Sequence, residues 1–254
     1  MKKLVAVPCF NEEDNIDSCI ESLLSLKNEK IDVFDILVVN DGSKDDTNKK
    51  LSQFGNLITV ISSKQNFGLS EVFNSILYFS REENYDQLII FDSDNQYPFE
   101  DIPKLFEKIT SEELDIVIGS RDFKALDHFS NSKKFFQRLG AFLVGLSLRM
   151  NLNDVTSGFR AYSSKALDSL FVTNTFTYTL ETLYQAKRSK LKISDILSEP
   201  NSYYKMILDI NKFLTKYNNS YFVGFNSINF DEEFFRQVLW EHFMFPYLTN
   251  TNGN

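Results

Sequence analysis

Short apolar runs alternate with amphipathic stretches along the first half of the chain. Leu4 to Val7, Phe34 to Val39, Leu57 to Ile61 and Leu88 to Phe91 are each bounded by polar residues. Runs of this kind fit strands buried on both faces better than half-solvated ones. Each is followed by a polar turn and then by helical spacing: Ile16, Cys19, Ile20, Leu23 and Leu24 share one helix face, and Val72, Phe73, Ile76 and Leu77 another. Asn11-Glu12-Glu13-Asp14 opens the first of these helices, with Asn11 as the expected N-cap and acids where the helix macrodipole favours them. Repeated strand–turn–helix units require right-handed crossovers, so the predicted fold is α/β, a mostly parallel sheet covered by helices on both faces. A fifth strand is expected over Asp115 to Gly119, and a further one from about Lys192-Ile193.

That connectivity puts the polar turns along one sheet edge. Asn11-Glu12, Asp41-Gly42, Asn66 to Gly68 and Asp92 to Asp94 then share one crevice, where a nucleotide can lie across the strand ends. Asp92 and Asp94 stand one residue apart just past an apolar run. On extended backbone their carboxylates diverge, but a turn brings both toward one hard divalent cation such as Mg²⁺ or Mn²⁺, which favours oxygen ligands and often shares them with phosphates. The alternative is a pair of solvated loop acids. Neither of the two commonest glycine-rich phosphate cradles, G-x-G-x-x-G and G-x-x-x-x-G-K-[ST], occurs, so phosphates here need a metal or arginines.

Composition narrows the picture. A net charge of −8 over 254 residues argues against broad nucleic-acid binding, which needs a basic footprint. No segment approaches eighteen uninterrupted apolar residues, and the N-terminal apolar run is too short for a signal peptide. Two cysteines, Cys9 and Cys19, make neither a disulfide scaffold nor a zinc site, so a reduced, cytoplasmic setting is expected. Only His128 and His242 could partner Cys9 as a nucleophile, and both are far away in sequence. From Arg121 to Arg149 bases outnumber acids among helically spaced Phe and Leu; this reads as an amphipathic helix on the core, or as a basic, aromatic rim for an anionic, lipid-like acceptor. The 25 Phe and 11 Tyr demand large packed or deliberately exposed aromatic surfaces. The expected organisation is one domain over residues 1–198 and an aromatic-rich, helical appendage over 199–254.

Val7 to Glu12, Val39 to Ser43, Asp92 to Pro98, Gly119 to Arg121 and Asp154 to Arg160, in that order and spacing, resemble family 2 glycosyltransferases of GT-A fold, a Rossmann-like α/β sheet. Within that family the chain is most similar to the dolichyl-phosphate or polyprenyl-phosphate mannosyltransferase and glucosyltransferase branch, over about residues 3–195. The resemblance implies that Pro8, Phe10, Glu12 and Asp41 hold the base and ribose of a nucleotide sugar, GDP-mannose or a UDP-sugar, with Asn11 and Ser93 also on the donor side. It implies further that Asp92, Asp94 and Gln96 hold Mg²⁺ or Mn²⁺ against the diphosphate, and that Arg121 and Arg138 face an acceptor polyprenyl phosphate, with Ser157 to Arg160 beside it. Arg160 has a second reading as scaffold beneath that loop, and Glu181 reads either as base or orienter or as a first-turn helix acid. Implied together are single displacement with inversion and peripheral association with the membrane. A saccharide hydroxyl is the alternative acceptor. A nucleotide-sugar-binding protein without turnover is the other alternative, motivated by a departure after Ile193: where the branch carries an Arg/Lys segment that closes over the donor, Lys205 is the only cation between Asp195 and Lys205.

Overall fold

The computed structural model describes residues 1–28, 33–94, 97–121, 152, 154–174 and 178–198. Among them seven strands form one sheet: β1 (Lys3–Cys9), β2 (Asp35–Asn40), β3 (Thr59–Ser62), β4 (Gln87–Ile90), β5 (Ile116–Arg121), β6 (Arg160–Ser163) and β7 (Ile193–Ser198), in the order β3-β2-β1-β4-β6-β5-β7. Helices α1 (Ile16–Asn28), α2 (Thr47–Ser52), α3 (Leu69–Glu82), α4 (Ile102–Ser111), α5 (Ser164–Ser169) and α6 (Tyr178–Arg188) cover it. All strand pairings are parallel except those of β6, which runs antiparallel to both β4 and β5. The fold class is as expected: mixed α/β, mostly parallel, with helices on both faces.

Period-two alternation divides the core into two layers. On β1, Leu4 and Ala6 join Val72, Phe73, Ile76 and Leu77 of α3. Val5, Val7 and Cys9 face the other way, onto Ile16, Ile20 and Leu23 of α1 and Leu105 and Phe106 of α4. Each Val, Leu, Ile or Phe side chain among these that is removed from water contributes about 1.5–3 kcal/mol. The edge strand β3 is the weakest match to expectation. Gly55–Leu57 forms a 3₁₀ turn, the strand begins at Thr59, and Val60 is 38% exposed, because an edge strand of this length gains little from burial.

Strand β6 begins at Arg160, the last residue of the Asp154–Arg160 stretch that carries part of the family resemblance, and runs on through Ser163. Arg160, Ala161, Tyr162 and Ser163 carry no apolar run, and an arginine opens the strand. Nevertheless Arg160 is fully buried, opposite Ile90 on β4 and Ile118 on β5. Its guanidinium is satisfied internally: Nε donates to the Ser157 carbonyl (2.8 Å), Nη2 to the Val155 carbonyl (2.8 Å), and Nη1 to the Thr179 carbonyl (2.7 Å) and Thr182 Oγ1 (3.0 Å). The scaffold reading of Arg160 fits this arrangement. The side chain ties the 155–157 loop to the first turn of α6 from beneath.

Arg160→Ala strands the buried carbonyls of Val155 and Ser157, while the Thr179 carbonyl keeps Thr182 Oγ1 as a donor. Since each unsatisfied buried polar group costs about 1–3 kcal/mol, the variant is expected to lose at least about 2 kcal/mol of unfolding free energy in a urea titration. A loss below about 1 kcal/mol would show that the loop and α6 do not depend on it.

Candidate active site

Parallel pairing of β1 with β2 and β4 sets their carboxyl ends side by side, and the turns that follow enclose a cleft of about 450 Å³. Pro8, Cys9, Phe10 and Glu12 line it from the β1 turn, Asp41 from β2, Asn66 to Val72 in part from the β3–α3 connection, and Asp92, Ser93 and Asp94 from β4. The crevice foreseen in the sequence therefore exists as one cavity.

Side-chain ties hold its walls. Asn11 sits at φ +55°, its N–H donating to Ser43 Oγ (2.8 Å) and its Oδ1 accepting from Lys44 N–H (2.9 Å). It is not the N-cap of α1, which starts at Ile16 after the turn in which Ile16 N–H donates to the Glu12 carbonyl. Asn11 instead fastens the β1 turn to the β2 turn. Glu12 N–H to Thr47 Oγ1 (2.9 Å) and Asp46 N–H to Glu13 Oε2 (2.8 Å) reinforce the same seam. Asp41, 3% exposed, accepts from the N–H groups of Phe67 (2.9 Å) and Gly68 (2.8 Å), which draws the β3–α3 connection over the end of β2. Gly42, at φ +76°, allows that approach: a Cβ there would meet the Gln65 backbone at 2.5 Å.

The cleft carries a strongly negative field. Glu12, Asp41, Asp92 and Asp94 line it, and among the described residues that do so there is neither lysine nor arginine. Burial, and then the charge of Asp94, raise the pKa of Glu12 against hydrogen bonds from Asn15 and Ser93. Burial, and then Glu12, Asp45 and Asp41, push the Cys9 thiol up to about 12. Cys9 is thus a protonated wall of the cleft rather than a nucleophile. No three His, Cys, Asp or Glu side chains cluster as a metal site among the described residues, but oxygen donors in a field of this sign suit a hard divalent cation.

The other singled-out residues fall elsewhere. Arg121 ends β5. Its side chain, Gln96, Arg138, the rest of the basic segment through residue 150, Lys205 and the appendage lie outside the described residues. Glu181 is not among the residues lining the cleft. From the first turn of α6 its carboxylate accepts from Thr173 N–H (3.0 Å) and Oγ1 (2.9 Å), Asn174 N–H (2.8 Å) and Gln185 Nε2 (2.9 Å). Partial burial pushes its pKa up, but these bonds outweigh it and leave the carboxyl below its ordinary value. The resemblance implies that Ser157 to Arg160 lie beside the acceptor, but nothing in the sequence announced that Gly158 of that loop lies against the Asp92 carboxylate. No local pattern marks it, because the contact joins residues more than sixty positions apart.

The family model described as glycosyl transferase family 2 matches residues 4–171. Among characterised relatives, the chain is 27% identical to the undecaprenyl-phosphate mannosyltransferase of Micrococcus luteus, over 67% of this chain and 70% of that one. It is 30% identical to the dolichol-phosphate mannosyltransferase of Pyrococcus furiosus, over 75% of this chain and 54% of that one. It is 28% identical to the UDP-N-acetylglucosamine–dolichyl-phosphate N-acetylglucosaminyltransferase of Methanococcus voltae, over 75% and 82%. Among solved structures, glucosyl-3-phosphoglycerate synthase from Mycobacterium tuberculosis, crystallised with Mn²⁺, UDP and glucosyl-3-phosphoglycerate, superposes with a TM-score of 0.59 at 19% identity, over 85% of this chain and 78% of that one.

A pH dependence follows from Glu12. Its folded-state pKa lies above the unfolded value near 4.5, so the folded chain holds the extra proton, and stability falls as pH rises from about 4.5 through the folded pKa. In metal-free buffer Glu12→Gln is expected to melt above wild type at pH 7, because it removes a charge that burial and the nearby Asp94 disfavour. The difference should shrink toward pH 4.5. A variant that melts below wild type at pH 7 would refute that cost of ionising Glu12.

Proposed function

Because this chain belongs to glycosyl transferase family 2, we propose that it transfers a hexose, mannose or glucose, from GDP-mannose or a UDP-sugar to polyprenyl phosphate by single displacement with inversion. The observation that carries this reading is the carboxylate-lined cleft across the ends of β1, β2 and β4. The named activities of the Micrococcus, Pyrococcus and Methanococcus relatives support the acceptor class.

On this reading the turn after β1 and Asp41 hold the nucleoside, and Asp92 and Asp94, with Gln96, hold Mg²⁺ or Mn²⁺. When bound, that ion neutralises the charge that builds on the departing diphosphate. Arg121 and Arg138 hold the acceptor phosphate in line with the anomeric carbon, which converts an encounter into a positioned displacement. A phosphate monoester is largely ionised at neutral pH, so its attack needs no strong base. The commitment of Glu181 to Thr173, Asn174 and Gln185 agrees with that chemistry. A saccharide hydroxyl would need a free base, and Glu181 as held here is poorly suited to the task. The proposed setting is the cytoplasmic face of the membrane, with peripheral association; no helix among the described residues is long and apolar enough to cross a bilayer.

The deciding assay presents labelled GDP-mannose and UDP-sugars to polyprenyl phosphate with Mn²⁺, Mg²⁺ or chelator. Transfer is expected with either ion and lost with chelator. Transfer only to saccharide hydroxyls, or tight donor binding with no turnover on any acceptor, would replace the reading with one of its two alternatives. Asp94→Asn is expected to abolish Mn²⁺-dependent thermal stabilisation by GDP and UDP while shifting the melting temperature of the free protein by no more than about 2 °C. Unchanged stabilisation would remove Asp94 from the ion.

A further inference from the structure

The Asp154–Phe159 loop is fixed from several sides. Ser157 Oγ donates to the Gly119 carbonyl (2.6 Å) and lies 3.0 Å from the Tyr97 hydroxyl. Gly119 N–H donates to the Phe159 carbonyl (2.8 Å), and the Phe159 ring fills the place a Cβ on Gly119 would occupy. That ring packs edge-on against Phe91 at 5.6 Å and against Tyr97 at 5.0 Å. Arg160 holds the carbonyls of Val155 and Ser157 from below. Within this frame Gly158 meets the cleft: a Cβ there would fall 2.9 Å from Asp92 Oδ2, 3.5 Å from Asp92 Oδ1 and 3.2 Å from the Tyr178 hydroxyl. Tyr178 is fully buried, stacked on Phe73 at 4.3 Å, and its hydroxyl donates to the Gly158 carbonyl (3.3 Å).

We infer that Gly158 is a positioning residue for Asp92: the missing side chain at 158, bordered by the Tyr178 hydroxyl, sets where the Asp92 carboxylate stands in the donor cleft. A contact of 2.9 Å cannot persist with a real Cβ, so one side must yield. The loop is held by the backbone and side-chain bonds of Ser157, Phe159 and Arg160, whereas Asp92 presents the far end of a side chain. Asp92 is therefore the side that moves. The inference rests on the proposed donor site, because only there does the position of that carboxylate decide binding of a diphosphate.

The test titrates Mn²⁺ with GDP or UDP, and separately metal-free GMP or UMP, into the full-length wild type, Gly158→Ala and Tyr178→Phe. Gly158→Ala is expected to weaken Mn²⁺-dependent diphosphate binding by about 10- to 100-fold, the usual cost of disturbing the partners that orient a metal-holding group. Metal-free monophosphate binding should stay within about twofold, since the nucleoside lies against the β1 and β2 turns; a general loosening of the fold would weaken both. Tyr178→Phe keeps the stack on Phe73, removes the hydroxyl and is expected to show the same selective loss, several-fold in size. It decides the matter if Gly158→Ala does not fold. Unchanged diphosphate binding in the variants, or equal weakening of both ligands, would overturn the inference alone. A wild type that binds neither diphosphate with Mn²⁺ would remove the donor-site reading and the inference with it.

Discussion

Parallel hydrogen bonding between β1 and its neighbours β2 and β4 is the constraint from which the site follows. The registers Cys9 to Asn40 and Ala6 to Ile90 bring the carboxyl ends of these strands out at the same edge. Neighbouring strands lie about 4.8 Å apart, so residues that leave those ends must share a space about the width of a nucleotide. Glu12, Asp41 and Asp92 are thus brought together by backbone geometry before any side chain interacts. The turns are then locked to one another by Asn11, Thr47 and Asp41, which use side-chain oxygens to satisfy backbone N–H groups of a neighbouring turn. The cleft is preorganised because its wall groups bond to each other.

The antiparallel strand β6 changes what the sheet can offer beyond that cleft. Inserted between β4 and β5, it carries the Asp154–Phe159 loop to the same edge and sets it between Asp92 on one side and the Gly119–Ser120 end of β5 on the other. A continuous parallel order would have put a helix connection there instead. Arg160 supports the insertion: the first residue of the strand is also the group that satisfies the carbonyls of the loop before it. Cleft-side and β5-side elements are therefore joined through one rigid loop rather than through separate segments.

The parallel half of this fold was legible because each strand there is an apolar run followed by a helix of matching period, and the four-turn crevice follows from crossover handedness. Strand β6 was not legible, since Arg-Ala-Tyr-Ser has neither alternation nor an apolar run and is a strand only because Ile90 and Ile118 flank it. Asn11 was misjudged for a related reason. Asparagine before a helical pattern is a good N-cap, but the same side chain found partners in Ser43 and Lys44, thirty-odd residues away, and took a left-handed backbone instead. Glu181 kept both readings open from sequence, and it took the Thr173–Asn174 backbone to show that its carboxylate is already occupied. Local pattern reads period; it does not read which distant polar group will claim a side chain.

Two side chains register the cleft's charge, the Cys9 thiol in part through Glu12 itself. Glu12 and the Cys9 thiol differ in chemistry and position, yet after burial both resist ionisation because carboxylates surround them. A diphosphate entering alone would meet the same repulsion, with no lysine or arginine among the described lining residues to offset it. On the proposed reading, a cation that enters with or before the nucleotide reverses the sign of that field, so that the carboxylates which oppose the diphosphate alone become the reason the ion and diphosphate bind together. Donor affinity then depends less on how many acids are present than on where they stand relative to the ion. That dependence is why a glycine with no chemistry of its own, beside Asp92, matters to the site.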